Sequence, residues 1–279
     1  HGTVTVMKDH VGYEVTTYRI DGQSSDQRHP DSVSFTNDIR EDMSRRDFTI
    51  NAMAFDPRAT GDDRIKDFYG GREDLKAGII RTVGDPHERI QEDALRMARA
   101  VRFAAQKDMQ IDSKLKDAIK DDARNIEKVS KERINAELSK ILISDNARQG
   151  ISNLHELGLL RHIAPSLDRE YDTAQNNPWH LYDVGRHTER VVENVPNDKI
   201  TRCAALFHDI GKTETKTTDS KGIDHFYGHP ARSEEMTKAI MKDLKFTSDE
   251  IKNTCLLVRL HDERLQPDKE QVCRFIEKH

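Results

Sequence analysis

Val and Thr alternate from His1 to Met7, and Tyr13 to Ile20 is rich in β-branched and aromatic residues, so the chain opens as two strands joined by Lys8 to Gly12. A third strand is predicted over Thr49 to Phe55, closed by Asp56-Pro57 and a polar loop up to Ile65. From Pro86 the apolar spacing turns helical, predicting helices over Glu88 to Gln106, Ser113 to Asp122 and 151–164, with a capping box at Ser130 that lacks its Glu. Strand content is expected to end near Val83, and the polar stretch Asp168 to Pro178 reads as a linker before a helical, histidine-rich remainder.

The chain's 279 residues suit two compact domains, and its 34% charged and 35% apolar residues suit narrow helices better than a broad sheet core. With a formal net charge of −5, attraction to nucleic acid would have to come from a local basic surface. Cys203, Cys255 and Cys273 form no Cys-x-x-Cys pair, which argues against a disulfide framework or a thiolate zinc site and fits a reducing cytoplasm. No stretch approaches the roughly 18 apolar residues of a membrane span, and no secretory leader opens the chain.

Two arginine clusters carry candidate chemistry. Arg45, Arg46 and Asp47 stand directly before the predicted third strand; the bland reading is a solvated pair of arginines bridged to an aspartate. Further on, Asp93, Arg96, Arg99 and Arg102 recur at i, i+3 steps along one stripe of the predicted helix, opposite Leu95, Ala98, Val101 and Ala105. Asp93 and Arg96 could be a simple helix ion pair, but three arginines on one stripe repel, and a triphosphate would relieve that repulsion. Cytosine and adenine both present an exocyclic amine beside a ring-nitrogen acceptor. A fixed Asp93 carboxylate and Arg96 guanidinium would therefore admit C and A and reject G and U.

Arg45-Arg46-Asp47-Phe48-Thr49-Ile50-Asn51-Ala52-Met53, Asp67-Phe68-Tyr69-Gly70-Gly71-Arg72 and Glu92-Asp93-Ala94-Leu95-Arg96 together resemble the ordered motifs of the bacterial tRNA nucleotidyltransferase (CCA-adding) and poly(A) polymerase family. The resemblance implies an α+β fold: a partial nucleotidyltransferase head with an antiparallel or mixed sheet over residues 1–83, and a helical neck over 84–165. It implies nucleotide contacts from Arg45, Arg46, Asp47, Asn51, Asp93, Arg96, Arg99 and Arg102, with ATP and CTP as substrates and the tRNA 3′ end as acceptor. Family members hold two Mg²⁺ ions on an Asp-x-Asp pair behind a Gly-Gly-x-x-Arg-Asp element, and this sequence contains neither. Glu14 matches the place of a third catalytic carboxylate. The expectation is that the front of the head is missing and that this chain by itself transfers nothing; its end at His279 reads as an unfinished helix.

Of the thirteen histidines, His187, His208, His225, His229 and His261 fall in the last hundred residues, and Cys203 to Phe207 is an apolar run ending in His208-Asp209-Ile210-Gly211-Lys212. This part resembles the HD phosphohydrolase domain, an all-α domain expected over 175–279. The resemblance implies His187, His208, Asp209 and Asp262 as ligands of a divalent Mn, Fe, Ni, Co or Mg ion that activates water against a phosphoester, with His229 and His261 contacting a second metal or the phosphate. Lys212 would neutralise phosphate charge or be an ordinary exposed lysine. Three functions follow as expectations: CCA addition, or poly(A) addition within the same family; metal-dependent hydrolysis of 2′,3′-cyclic phosphates or phosphomonoesters; and RNA binding without catalysis.

Overall fold

The structure is a computed structural model that describes residues 2–22, 32–178 and 181–263; His1, Cys273 and the helix expected at His279 lie outside them. It divides into two compact units, His1–Ile163 and Ala164–His279. The head and neck expected on either side of residue 83 thus share the first unit. No helix among the described residues is long and apolar enough to cross a membrane.

In the first unit, β1 (Thr3–Lys8) and β2 (Val11–Thr16) pair antiparallel from Thr3↔Thr16 to Lys8↔Val11. Asp9 and His10 make the two-residue turn with φ of 50° and 62°, the left-handed pair that matches strand twist. The second predicted strand breaks at Thr17 and Tyr18, and β3 (Arg19–Asp21) pairs instead with β4 (Val33–Phe35). Next come α1 (Ile39–Ser44), β5 (Met53–Phe55), β6 (Ile65–Asp67), α2 (Gly71–Ala77) and β7 (Ile79–Ile80).

The predicted strand over Thr49 to Phe55 is only half a strand. Thr49–Asn51 is a 3₁₀ turn, and the strand starts at Met53. Local side-chain bonds outcompete the ladder here: Asp47 Oδ1 accepts from the Phe48 N–H (2.9 Å) and from Asn51 Nδ2 (3.0 Å), and the Thr49 hydroxyl donates to Asp74 (2.7 Å). Helix α2 packs on this turn so closely that a Cβ on Gly71 would stand 2.3 Å from the Thr49 carbonyl oxygen. Asp67 accepts from the N–H groups of Tyr69, Gly71 and Arg72, which fixes the start of α2.

The single helix predicted over Glu88 to Gln106 is two helices, α3 (Pro86–Glu92) and α4 (Leu95–Lys107). Asp93 between them is extended (φ −151°, ψ 103°), and its carboxylate accepts from the Leu95 N–H (3.1 Å), capping α4 rather than continuing α3. Then follow β8 (Gln110–Ile111), which pairs parallel with β7, and α5 (Ser113–Asp122), α6 (Lys131–Leu142), α7 (Ala147–Glu156) and α8 (Leu160–Ile163). Strand pairing therefore extends past Val83, and Ser130 caps α6 without a side-chain hydrogen bond. Met97, Val101, Ile119, Ile141, Leu142 and Leu154 are fully enclosed in this unit's core.

The second unit holds α9 (Pro165–Asp168), a 3₁₀ turn at Arg169–Asp172, α10 (Val184–Asn194), α11 (Lys199–Phe207), α12 (Lys212–Thr215), β9 (Thr217–Thr218), β10 (Asp224–His225), α13 (His229–Asp243) and α14 (Ser248–Leu260). The stretch read as a linker is packed: Glu170 and Gln175 are buried, and the Asn176 carbonyl accepts from the Asp224 N–H. Burial of Val192, Cys203, Phe207, Ile210, Met241, Leu244 and Val258 ties the helices together. Burial also pushes the Cys203 thiol up to about 12, so it stays protonated at neutral pH.

Candidate functional sites: an arginine cluster and a histidine cluster

In the first unit each guanidinium of the two arginine clusters meets a carboxylate. Arg45 and Arg46 both reach back one turn to the buried Asp42, at 2.6 and 3.0 Å, and not to Asp47. Burial opposes ionisation of Asp42, but the two arginines overcome it and hold its carboxyl below the usual range. Asp47 accepts instead from Arg99, at 2.8 Å from Nε and 2.5 Å from Nη2. Arg96 pairs with Glu92 and donates to the carbonyls of Arg89 and Arg45. Arg102 is buried against Glu137 and lies 3.8 Å over the Phe103 ring.

These pairs correct the repulsion expected along one stripe. Asp93 is off the helix and takes Arg133 (2.6 Å), and Arg96, Arg99 and Arg102 each own a separate anion. Arg45, Asp93 and Arg96 nonetheless line one small cavity of about 160 Å³, together with Ile20, Asp21 and Arg89. Asp47, Asn51 and Arg99 form the adjoining hydrogen-bonded group. Asp42, Arg89 and Arg133 were missed from sequence; only Asp42 left a signal, its i, i+3 and i, i+4 spacing to the two arginines. Glu14 is exposed in β2 opposite Thr5. A lone exposed carboxylate with no Asp-x-Asp partner in the sequence does not fit a two-Mg²⁺ transfer centre.

The second unit gathers four of its histidines around one carboxylate. His187 comes from α10, His208 and Asp209 follow α11, His229 opens α13 and His261 closes α14. Gly211 allows this convergence, because a Cβ there would stand 2.6 Å from both the His229 carbonyl oxygen and the Ser233 nitrogen. Asp209 Oδ2 faces His208 Nε2 (3.2 Å) and His187 Nε2 (3.5 Å), while Oδ1 faces His229 Nε2 (3.3 Å) and His261 Nε2 (3.6 Å). The result is two groups of three donors sharing Asp209.

The donor set fits a divalent metal. Nδ1 of His208, His229 and His261 lies 2.7 to 2.9 Å from the carbonyls of Ala205, Phe226 and Val258, which keeps the proton on Nδ1 and leaves Nε2 with a free lone pair. Lone pairs of His208 and His187 then meet at 3.3 Å, and those of His229 and His261 at 3.2 Å, an arrangement a shared cation relieves. When the histidines carry Nε2 protons instead of a metal, a charged His208 and the hydrogen bonds from His208, His229 and His261 hold the carboxyl of the buried Asp209 well below the usual range. Lys212, expected at the surface in the bland reading, is buried with Nζ 2.7 Å from Asp209 and 3.0 Å from Gln175.

Asp262 departs from its expected place as a ligand. It lines the same cavity of about 640 Å³ but is exposed and belongs to neither donor group. Helix α14 ends at Leu260, His261 keeps helical geometry, and its ring turns inward; one residue further on, the direction has rotated by about 100°. Behind the site, burial and the neighbouring Asp209 raise the Glu170 carboxyl well above the usual range.

Three family descriptions match the chain in order: "Poly A polymerase head domain" over residues 1–81, "Probable RNA and SrmB- binding site of polymerase A" over 108–171, and "HD domain" over 179–276. The chain is 41% identical over 276 residues to the CCA-adding enzyme of Limosilactobacillus reuteri, covering 87% of this chain and 67% of that protein. The chain belongs to the CCA-adding enzyme and poly(A) polymerase family. A second relative in the family, the CCA-adding enzyme of Ligilactobacillus salivarius, is 44% identical over 169 residues, covering 61% of this chain and 41% of that one. The chain thus spans between about two fifths and two thirds of these relatives' lengths. Among solved structures, it is similar to the Bacillus stearothermophilus CCA-adding enzyme in complex with CTP, at a TM-score of 0.61 and 27% identity, covering 99% of this chain and 67% of that chain. The Thermotoga maritima CCA-adding enzyme complexed with tRNA shares the fold, at a TM-score of 0.50 and 22% identity, covering 99% of this chain and 65% of that one.

Proposed function

We propose that this chain is the nucleotide-selecting and RNA-binding part of a cytoplasmic tRNA nucleotidyltransferase that adds CMP and AMP from CTP and ATP to the tRNA 3′ end. The observation that carries the reading is the 41% identity to a CCA-adding enzyme across 276 residues, which include all three arginine-bearing motifs. The cavity supports it, since Asp93 and Arg96, among the several carboxylates and guanidiniums that line it, offer the acceptor and donor that suit the amine-and-acceptor edge of cytosine or adenine. Arg99 and Asn51 both hold Asp47, so these three residues act as one positioned group. The test is incorporation of labelled CTP and ATP, against GTP and UTP, into tRNA lacking its CCA by the whole protein; absence of any C or A preference would defeat it. Uniform A addition would favour the poly(A) member of the same family.

A second activity, phosphoester hydrolysis at the histidine site, is favoured by the convergence of four imidazoles on Asp209. His187, His208, Asp209, His229 and His261 would hold a divalent ion, which would supply activation of water. The chain's own residues orient the reaction: Asp209 presents one oxygen to each histidine pair, and Lys212 places a buried positive charge beside it for the phosphoryl oxygens. Water's oxygen bonds to phosphorus, and the ester oxygen leaves with a proton. Mn²⁺ or Ni²⁺ titration with 2′,3′-cyclic AMP tests this; Asp209→Ala is expected to lose metal binding by more than about a hundredfold, together with turnover. Unchanged turnover in that variant would remove the site from the chemistry.

A further inference from the structure

Asp93 and Arg96 stand three residues apart, a spacing at which opposite charges readily pair along a helix. Among the described residues they do not pair with each other; each is held by other groups. Arg133, in the first turn of α6, donates to Asp93 Oδ2 at 2.6 Å, while Asp93 Oδ1 accepts from the Leu95 N–H at 3.1 Å. Arg96 Nη1 meets Glu92 at 2.5 Å and the Arg89 carbonyl at 2.9 Å, and its Nη2 donates to the Arg45 carbonyl at 3.1 Å.

The groups left over decide what the site can bind. Both protons of Nη1 and one of Nη2 are engaged, so Arg96 retains one Nη2–H and its Nε–H. Each Asp93 oxygen has accepted one bond and keeps a lone pair for a second. A donor and an acceptor thus remain open in the cavity that both residues line, the pattern required by the amine and ring nitrogen of cytosine or adenine. If the two closed on each other, neither would be open to a base.

Packing sets the place of Arg133. Helix α6 lies on α4, with Ile134 and Leu138 of the one and Met97 and Val101 of the other buried. One turn beyond Arg133, Glu137 takes Arg102. Two oppositely charged residues of α6 therefore hold the segment from Asp93 to Arg102 near its two ends. The Asp93 and Arg133 side chains are only 20% and 26% exposed, so water screens their attraction less than it would a surface pair.

We propose that Arg133 is a positioning residue for nucleotide selection: by holding Asp93 it keeps the carboxylate from closing onto Arg96, so that both stay open to a base. This rests on the nucleotide-selecting reading of the cavity. Without Arg133, the Asp93 carboxylate meets the remaining donors of Arg96, and their pairing removes the acceptor for the amine of C or A. The site then loses what separates these bases from U and G, whose edges present the reverse order.

The test measures kcat/KM of the full-length protein for CTP and for UTP on tRNA lacking its CCA. Arg133→Gln is expected to lower the CTP-to-UTP ratio about tenfold, through KM for CTP with kcat nearly kept, and Arg133→Lys to retain most of the ratio. A residue that only supports the fold would lower turnover with both nucleotides alike and leave the ratio unmoved. Equilibrium binding of CTP and UTP reads the same ratio without turnover. A ratio equal to the parent's in Arg133→Gln, or a loss in Arg133→Lys as deep as in Arg133→Gln, overturns the proposal. Failure of the underlying reading looks different: the parent itself would show no preference for CTP over UTP, or Asp93→Ala would leave that preference whole.

Discussion

The arginine cluster and the histidine cluster solve opposite charge problems. In the first, Arg45 and Arg46 share Asp42, Arg96 has Glu92, Arg99 has Asp47 and Arg102 has Glu137. In the second, four imidazoles converge on the single carboxylate of Asp209, with Lys212 alongside. A matched set is a framework that positions its surfaces; a set with surplus lone pairs invites a cation. The distinction matters because a list of charged residues would describe both regions in the same words.

Breaking the most buried matched pair should have the largest effect. Glu137→Ala leaves the Arg102 guanidinium buried without its anion and is expected to cost about 3 to 5 kcal/mol in urea unfolding, whereas Arg102→Met with Glu137→Leu should recover most of it. If Glu137→Ala costs under about 1 kcal/mol, Arg102 is free to leave the core and its place in the framework is wrong. Asp47→Asn keeps the shape but weakens two charge-assisted bonds to the part-exposed Arg99; about 1 to 2 kcal/mol is expected in the same measurement.

The smallest effect sharpens the comparison with a lone pair. His87 on α3 meets Asp122 on α5 at 2.9 Å, and that bond raises its pKa above the ordinary histidine value. A raised folded pKa stabilises fully below the unfolded value of about 6.5 and loses that contribution as pH climbs through the folded one. His87→Gln should therefore lower Tm at pH 6 and leave it level with the parent at pH 9. An equal deficit at both values would assign the loss to packing rather than to charge.

Several features could be read from residues alone. Ser113–Asp122 is a helix as its spacing predicts, and the three motifs announced the family. The break at Asp93 could not, because Asp-Ala-Leu suits a helix interior as well as a cap, and the choice went to the bond with the Leu95 N–H and the pull of Arg133 across 40 residues. The 3₁₀ turn at Thr49–Asn51 was hidden for a similar reason: β-branched residues favour a strand until Asp47 and Asp74 capture their polar groups. Lys212 left two readings open, phosphate neutraliser or ordinary exposed lysine, because nothing adjacent in sequence announces Gln175 beside it.

The chain's order of residues by itself determined which chemistry is available: guanidiniums with carboxylates in one region, imidazoles with a central Asp in the other. Tertiary structure decided the partners. Arg99 chose Asp47 from 52 residues away, and His261 took the inward position that its neighbour Asp262 did not. Partnership depends on side-chain direction and on distances of a few ångströms, which packing sets only when distant elements are brought together.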